Sequence, residues 1–221
     1  MRIDGKGLID RSKPVQFHFD GRRISGFEGD TVTSALLAQG VRLMGRSFKY
    51  HRPRGVMTAG SDEPNALITT GSGPDQRPNT RATMQEIWSG LQVRSQNAWP
   101  SLKFDALEIN DVMAPFLAAG FYYKTFMWPP AFWEKIYEPI IRRAAGLGAL
   151  SLESVGDRSE KAFAHCDLLV IGGGPTGLMA AHVAAQAGAD VILVDEGARL
   201  GGRLLSETTE INGTSGSDWA L

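Results

Sequence analysis

The chain has 221 residues, 43% hydrophobic and 21% charged, and its 23 basic and 24 acidic side chains leave a formal net charge of −1. These values exclude a disordered chain and, without a basic excess, a dedicated nucleic-acid binder. A single cysteine, Cys166, excludes an internal disulfide, and without a secretion signal or an apolar run of about 18 residues a cytoplasmic, non-membrane protein is expected.

In chain order, Val15-Gln16-Phe17-His18-Phe19 alternates as a strand should, and Asp20-Gly21 is a two-residue hairpin signal before a return strand from Arg22 to Phe27. Asp30 is the expected N-cap of a helix that buries Val32, Ala35 and Leu36 and ends at Gly40. A hairpin, a helix and further short strands describe an α+β unit with the helix across a sheet. Arg42, Arg46, Lys49, Arg52 and Arg54 place five fixed positive charges within 13 residues, with His51 among them. Such a stretch is either a structural face or a contact for a subunit or a cofactor phosphate.

Residues 116–137 hold nine aromatics: Phe116, Phe121, Tyr122, Tyr123, Phe126, Trp128, Phe132, Trp133 and Tyr137. They belong to a helical connector or to a surface covered by a partner subunit, since aromatics are enriched at interface cores. Ala131–Ala145 reads as helix, bent or restarted at Pro139, and Gly146–Ala164 has the composition of a linker.

Asp167–Ile171 is an apolar run suited to a strand buried on both faces. It opens directly into Gly172-Gly173-Gly174-Pro175-Thr176-Gly177, an alanine-rich helix from Leu178 to Ala187 closed by Gly188, and a second strand, Val191–Val194. Gly172, Gly174 and Gly177 meet the G-x-G-x-x-G spacing of a Rossmann-type dinucleotide site. Gly172 permits the tight turn, Gly174 lets a pyrophosphate approach the backbone, and Gly177 lets helix and strand pack closely. The N–H groups and positive dipole end of the helix face the phosphates. Asp195, assisted or replaced by Glu196, would accept hydrogen bonds from the adenosine ribose and repel a 2′-phosphate, favouring NAD or FAD over NADP. Gly201-Gly202 keeps FAD open, so the motif specifies an adenine dinucleotide and no more. His18, His165 and His182 show no ligand spacing, and Cys166 begins a strand as an inert residue. Neither a catalytic nucleophile–base pair nor a metal constellation is expected.

The run Val15-Gln-Phe-His-Phe-Asp-Gly-Arg22, the segment Gly29-Asp30-Thr31-Val32 leading into Ser34–Ala38, and the stretch Arg46-Ser-Phe-Lys-Tyr-His-Arg-Pro-Arg-Gly55 resemble the alpha subunits of heterotetrameric sarcosine oxidases. So do Phe121-Tyr-Tyr-Lys-Thr-Phe-Met-Trp-Pro129 and Trp133-Glu-Lys-Ile-Tyr-Glu-Pro-Ile-Ile-Arg-Arg143. The resemblance implies a ferredoxin-like β-grasp domain over 1–98, an aromatic-rich helical connector and linker over 99–164, and the start of a Rossmann-type domain over 165–221. In relatives, the loop after His-Arg-Pro-Arg-Gly carries the cysteines of a [2Fe–2S] cluster. Val56–Asn65 here has none, so no Fe–S cluster is expected.

The resemblance further implies NAD on this chain, held by Gly172, Gly174, Pro175, Thr176, Gly177, Asp195, Glu196, Gly197, Gly202 and Arg203. FAD and FMN belong to the complete complex, whose other members are the beta, gamma and delta subunits. That complex would oxidise sarcosine with oxygen to glycine and hydrogen peroxide and yield 5,10-methylenetetrahydrofolate. The open alternatives are an alpha-type subunit of a related amine or cyanide-forming dehydrogenase, and a stand-alone dinucleotide-binding module. Only two strands of the second domain precede Leu221, so an N-terminal fragment of a longer subunit, inactive alone, is expected.

Overall fold

The alternation at 15–19 forms the first strand of the computed structural model, which describes residues 2–3, 9–117, 119–120, 126–154, 160–205, 207–208 and 210–220. Strand β1 (Asp10–Phe19) turns at Asp20-Gly21 into β2 (Arg22–Glu28), and the two pair antiparallel. The φ angles of +48° at Asp20 and +75° at Gly21 are those of a type I′ turn, whose twist matches the strands. Phe17, Phe19 and Ile24 are buried, which fixes the inner face of the pair.

Helix α1 (Val32–Ala38) follows, then the short ladder of β3 (Gly45–Arg46) with β4 (Pro53–Arg54), and then β5 (Leu67–Thr70), β6 (Arg77–Arg81) and β7 (Gln92–Ser95). The main sheet runs β2-β1-β7-β5-β6, with β1 and β7 parallel and the other neighbours antiparallel. Val32, Ala35 and Leu36 of α1 join Phe17, Ile68 and Val93 of the sheet in one apolar core.

The helix is capped by Thr31, not by Asp30. Thr31 Oγ1 accepts from Ser34 N at 3.2 Å while Ser34 Oγ accepts from Thr31 N at 2.9 Å, a reciprocal box. Asp30 is fully buried one residue earlier, where its carboxylate accepts from Arg2, from Phe27 N at 2.9 Å and from Ser34 Oγ at 2.6 Å.

The basic stretch is largely structural. Arg46 is 5% exposed; its Nε donates to Leu102 O at 3.0 Å, its Nη1 donates to His51 O at 2.9 Å, and Glu108 Oε2 lies 3.1 Å away. His51 Nδ1 lies 2.7 Å from Asp105 Oδ2, both side chains fully buried, and Arg52 pairs with Asp111 at 2.6 Å. These bonds tie 46–52 to 102–111, and those of Arg46, His51 and Asp105 satisfy polar groups that burial would otherwise penalise, whereas the Arg52–Asp111 pair is exposed.

Beyond Trp99 the chain makes short turns, among them α2 (Ile109–Val112). The helix expected over 131–145 forms in three pieces: a 3₁₀ turn at Pro130–Phe132, a π turn at Trp133–Tyr137 and α3 (Glu138–Ala144). Pro139 has no N–H for the ladder, so regular α-helix begins with it in the first turn. The Phe126 and Phe132 rings lie 5.1 Å and 6.3 Å from that of Tyr137. Phe121, Tyr122, Tyr123, Lys124 and Thr125 of the aromatic motif lie outside the described residues. The first part of the expected linker instead packs on the sheet: Gly148 N donates to Asn79 Oδ1 at 3.0 Å, and Gln76 Nε2 to Ala149 O at 2.9 Å.

The chain divides into two compact units, Met1–Gly156 and Asp157–Leu221. In the second, β8 (Leu168–Ile171), α4 (Pro175–Gln186) and β9 (Val191–Val194) form a βαβ unit with its two strands parallel in register from Leu168–Val191 to Ile171–Val194. These strands are not buried on both faces, as the apolar run implies. Leu169 is 52% and Ile171 80% exposed, because one helix and one neighbouring strand cover only part of them. A hairpin unanticipated from the sequence follows, β10 (Glu210–Ile211) with β11 (Thr214–Ser215) around Asn212-Gly213, and then the single turn α5 (Gly216–Trp219). Among the described residues no helix is long and apolar enough to cross a membrane.

Candidate dinucleotide site

The end of β8, the start of α4 and the end of β9 bring the glycine loop and Asp195 together. Gly172 has a φ of +106°, which disfavours any side chain, and its N–H donates to Val194 O at 2.8 Å, closing the strand pair. Gly174 is the N-cap of α4, with Pro175 at the first helical position, where a missing N–H costs nothing. A Cβ at Gly174 would meet nothing within 4 Å, so the backbone here faces open space. A Cβ at Gly177 would lie 1.8 Å from Gly172 O and 3.4 Å from Val170, so this glycine is demanded by helix–strand packing.

Asp195 reaches back to the loop from the end of β9. Its Oδ2 accepts from Gly173 N at 2.5 Å and its Oδ1 from Gly197 N at 2.7 Å. A carboxylate offers about four acceptor sites, so two main-chain bonds leave capacity for a ribose hydroxyl. Glu196 and Thr176 are exposed beside it. Gly202 has a φ of +52° and lies against Gly174, where a Cβ would come within 3.1 Å of the Gly174 Cα. Arg203 is exposed and its Nε donates to Glu207 Oε1 at 2.6 Å, so its charge is met four residues away.

Two glycines escaped the spacing argument. Gly173 donates to Asp195 and its carbonyl accepts from Gly201 N at 2.7 Å; Gly201 has a φ of +118°. The second Gly-Gly pair therefore braces the first loop. Its signal was the repeated doublet itself, which the spacing rule ignores. Among the described residues no group of three His, Cys, Asp or Glu could hold a metal ion.

Over 219 residues the chain is 63% identical to sarcosine oxidase subunit alpha of Rhizobium meliloti (strain 1021), covering 99% of this chain and 22% of that one. The chain is a relative of sarcosine oxidase subunit alpha. The same subunit of Corynebacterium sp. (strain U-96) is 32% identical over 212 residues, which is 96% of this chain and 17% of the relative. The chain thus spans about a fifth of the length of these curated relatives, which are subunits of an oxidoreductase. Residues 12–98 match the family described as a 2Fe-2S iron-sulfur cluster binding domain, and 167–213 match FAD dependent oxidoreductase. The crystal structure of L-proline dehydrogenase from P. horikoshii shares the fold with a TM-score of 0.52 at 18% identity, over 96% of this chain and 31% of that one.

These matches correct the cofactor expectations. Residues 12–98 match an iron–sulfur cluster binding family, against the expectation of a ferredoxin-like domain without a cluster, and NAD on this chain is unsupported beside an FAD-dependent match at the glycine loop. The expectation leaned on ligand chemistry and on analogy, neither of which defines the domain family. The donor set in the matched segment does not itself fit thiolate ligation. Residues 12–98 of this relative of sarcosine oxidase subunit alpha contain no cysteine. The loop after Gly55 is instead organised by a carboxylate: Glu63, 1% exposed, accepts from Met57 N at 2.7 Å, Thr58 N at 2.8 Å and Asn65 N at 2.8 Å. Burial pushes the Glu63 carboxyl up, but the N–H groups of Thr58, Asn65 and Met57 outweigh it and hold it below the usual carboxylate range.

Proposed function

We propose that the glycine loop binds the adenosine diphosphate part of FAD at the start of a Rossmann-type domain, within an alpha subunit of a sarcosine-oxidising complex. The observation that carries the site is the open main chain at Gly174, directly ahead of α4, with the Asp195 carboxylate 2.5 Å from the neighbouring Gly173 N–H. Gly172, Gly174, Pro175, Thr176 and Gly177 would cradle the pyrophosphate. Asp195, with Glu196 and Gly197, would receive the ribose, and Gly202 and Arg203 would border it. FAD, when bound, supplies a two-electron acceptor; the residues of this chain bind and orient its adenosine end. Residues 1–98 serve as a β-grasp scaffold, and 99–164 connect it to the nucleotide domain.

The proposed reaction joins sarcosine, oxygen and tetrahydrofolate to give glycine, hydrogen peroxide and 5,10-methylenetetrahydrofolate, in a complex with beta, gamma and delta subunits. Sarcosine is favoured over proline, another secondary amino acid, because the sarcosine oxidase relative is 63% identical and the proline dehydrogenase 18%. Denaturing the full-length subunit, purified without its partners, should release FAD on chromatography. Release of a different dinucleotide, or of none, overturns the site. Turnover of the assembled complex with sarcosine and with proline tests the substrate separately.

A further inference from the structure

A cavity of about 520 Å³ opens in the first unit between the β1–β2 turn, the end of α1 and the bend at 101–103. Its floor is apolar: Phe19, Ile24 and Leu102 are 5%, 5% and 6% exposed and belong to the core. Its rim carries three cations from three separate segments, Arg22, Arg42 and Lys103. None of the three side chains has an ion pair or hydrogen bond among the described residues, whereas Arg46 and Arg52 of the same basic stretch are paired. The acid in the lining, Asp20, is turned toward the sheet, where its Oδ1 accepts from Ser95 N at 2.7 Å. The main-chain N–H groups of Arg42 and Leu43 are likewise without a partner among the described residues.

An apolar floor bordered by unpaired cationic donors is the make-up of a small-molecule site, and the volume falls in the usual range of about 300–1,000 Å³. We propose that this cavity binds a small organic anion, an apolar or planar body carrying a phosphate or carboxylate. The body would sit on Phe19, Ile24 and Leu102. The anionic group would meet Arg42 with Arg22 and Lys103 on either side, Arg42 coming from the loop just beyond Gly40. Charge complementarity favours this occupant over a neutral ligand, because Arg22, Arg42 and Lys103 are unpaired among the described residues and line the same cavity. The site stands apart from the glycine loop in sequence and does not depend on the reading of that loop.

The test is titration of the full chain with 1-naphthyl phosphate and with neutral 1-naphthol, followed by calorimetry and by amide NMR. Naphthyl phosphate should bind at least about tenfold more tightly than naphthol, as expected for charge-assisted contacts, and should weaken as salt is raised. Amide shifts should concentrate at 19–24, 39–43 and 101–103. Arg42→Glu and Arg22→Glu, both at exposed positions, should each weaken the phosphate about tenfold or more while leaving naphthol and the circular dichroism spectrum unchanged. Equal binding of the two probes, no saturable binding, retention by the Arg22→Glu/Arg42→Glu double variant, or shifts centred on 172–177 would each overturn the proposal.

Discussion

Asp195 and Gly173 are joined by a hydrogen bond of 2.5 Å from the main-chain N–H to Oδ2, across 22 residues of sequence. The same carboxylate that would hold the ribose therefore shapes the phosphate loop. On the proposed assignment, site geometry and ligand recognition would be coupled through one side chain.

Asp195→Ala would remove both the loop contact and the proposed ribose contact. Retention of FAD by the full-length subunit should fall roughly 10- to 150-fold, or about 1.5–3 kcal/mol for a charge-assisted hydrogen bond. Glu196 is adjacent and exposed, so the double substitution should lose more than the single. Equilibrium dialysis against FAD measures both. Unchanged affinity in the double variant would remove Asp195 and Glu196 from the site.

The glycines separate folding from binding. Gly174→Ala should leave the melting temperature near that of the parent chain, because its Cβ meets nothing within 4 Å and its φ of −73° suits any residue. It should nonetheless abolish FAD retention, since the methyl group would occupy the approach of the pyrophosphate. Gly177→Ala should instead lower the melting temperature, because its Cβ would lie 1.8 Å from Gly172 O. Parallel thermal melts and nucleotide release distinguish the two, and a Gly174→Ala chain that keeps its FAD would contradict the assignment.

Acid should loosen the loop that Glu63 organises. The folded carboxyl titrates below its unfolded value of about 4.3, because three N–H groups favour the charged form. The resulting stability is present above that value and is lost as the pH falls through the folded one. Glu63→Gln should cost about 1–3 kcal/mol near neutrality and progressively less as the medium acidifies. Urea midpoints across this range report the difference. A cost independent of pH would mean that charge plays no part.

The buried His51–Asp105 pair predicts a third stability effect. His51→Ala leaves Asp105 Oδ2 without the imidazole at 2.7 Å, although Oδ1 keeps Trp99 N at 3.0 Å and Leu107 N at 3.1 Å. A loss of about 1–3 kcal/mol in chemical denaturation is expected. Asp105→Ala should cost more, since it also strips those two N–H groups of their acceptor. The reverse order would refute this account.

Local rules decided what one segment can decide alone. Asp20-Gly21 dictated a tight hairpin because both positions need positive φ, and the G-x-G-x-x-G spacing at 172–177 dictated a strand–turn–helix because Gly172 and Gly177 tolerate no side chain. The family resemblance was legible for the same reason, through residues such as 46–55 and 133–143 kept in order. Tertiary contact decided the rest. Thr31 rather than Asp30 capped the helix where the buried Asp30 carboxylate was engaged by Arg2, 28 residues away, together with Phe27 N and Ser34 Oγ. Within the basic stretch, Arg46 and His51 became a buried brace only because Leu102, Asp105 and Glu108 came to meet them. Gly201 and Gly202 gained their place only by folding back on Gly173 and Gly174. Charge, periodicity and turn chemistry are properties of neighbours in sequence, whereas burial and pairing are properties of neighbours in space.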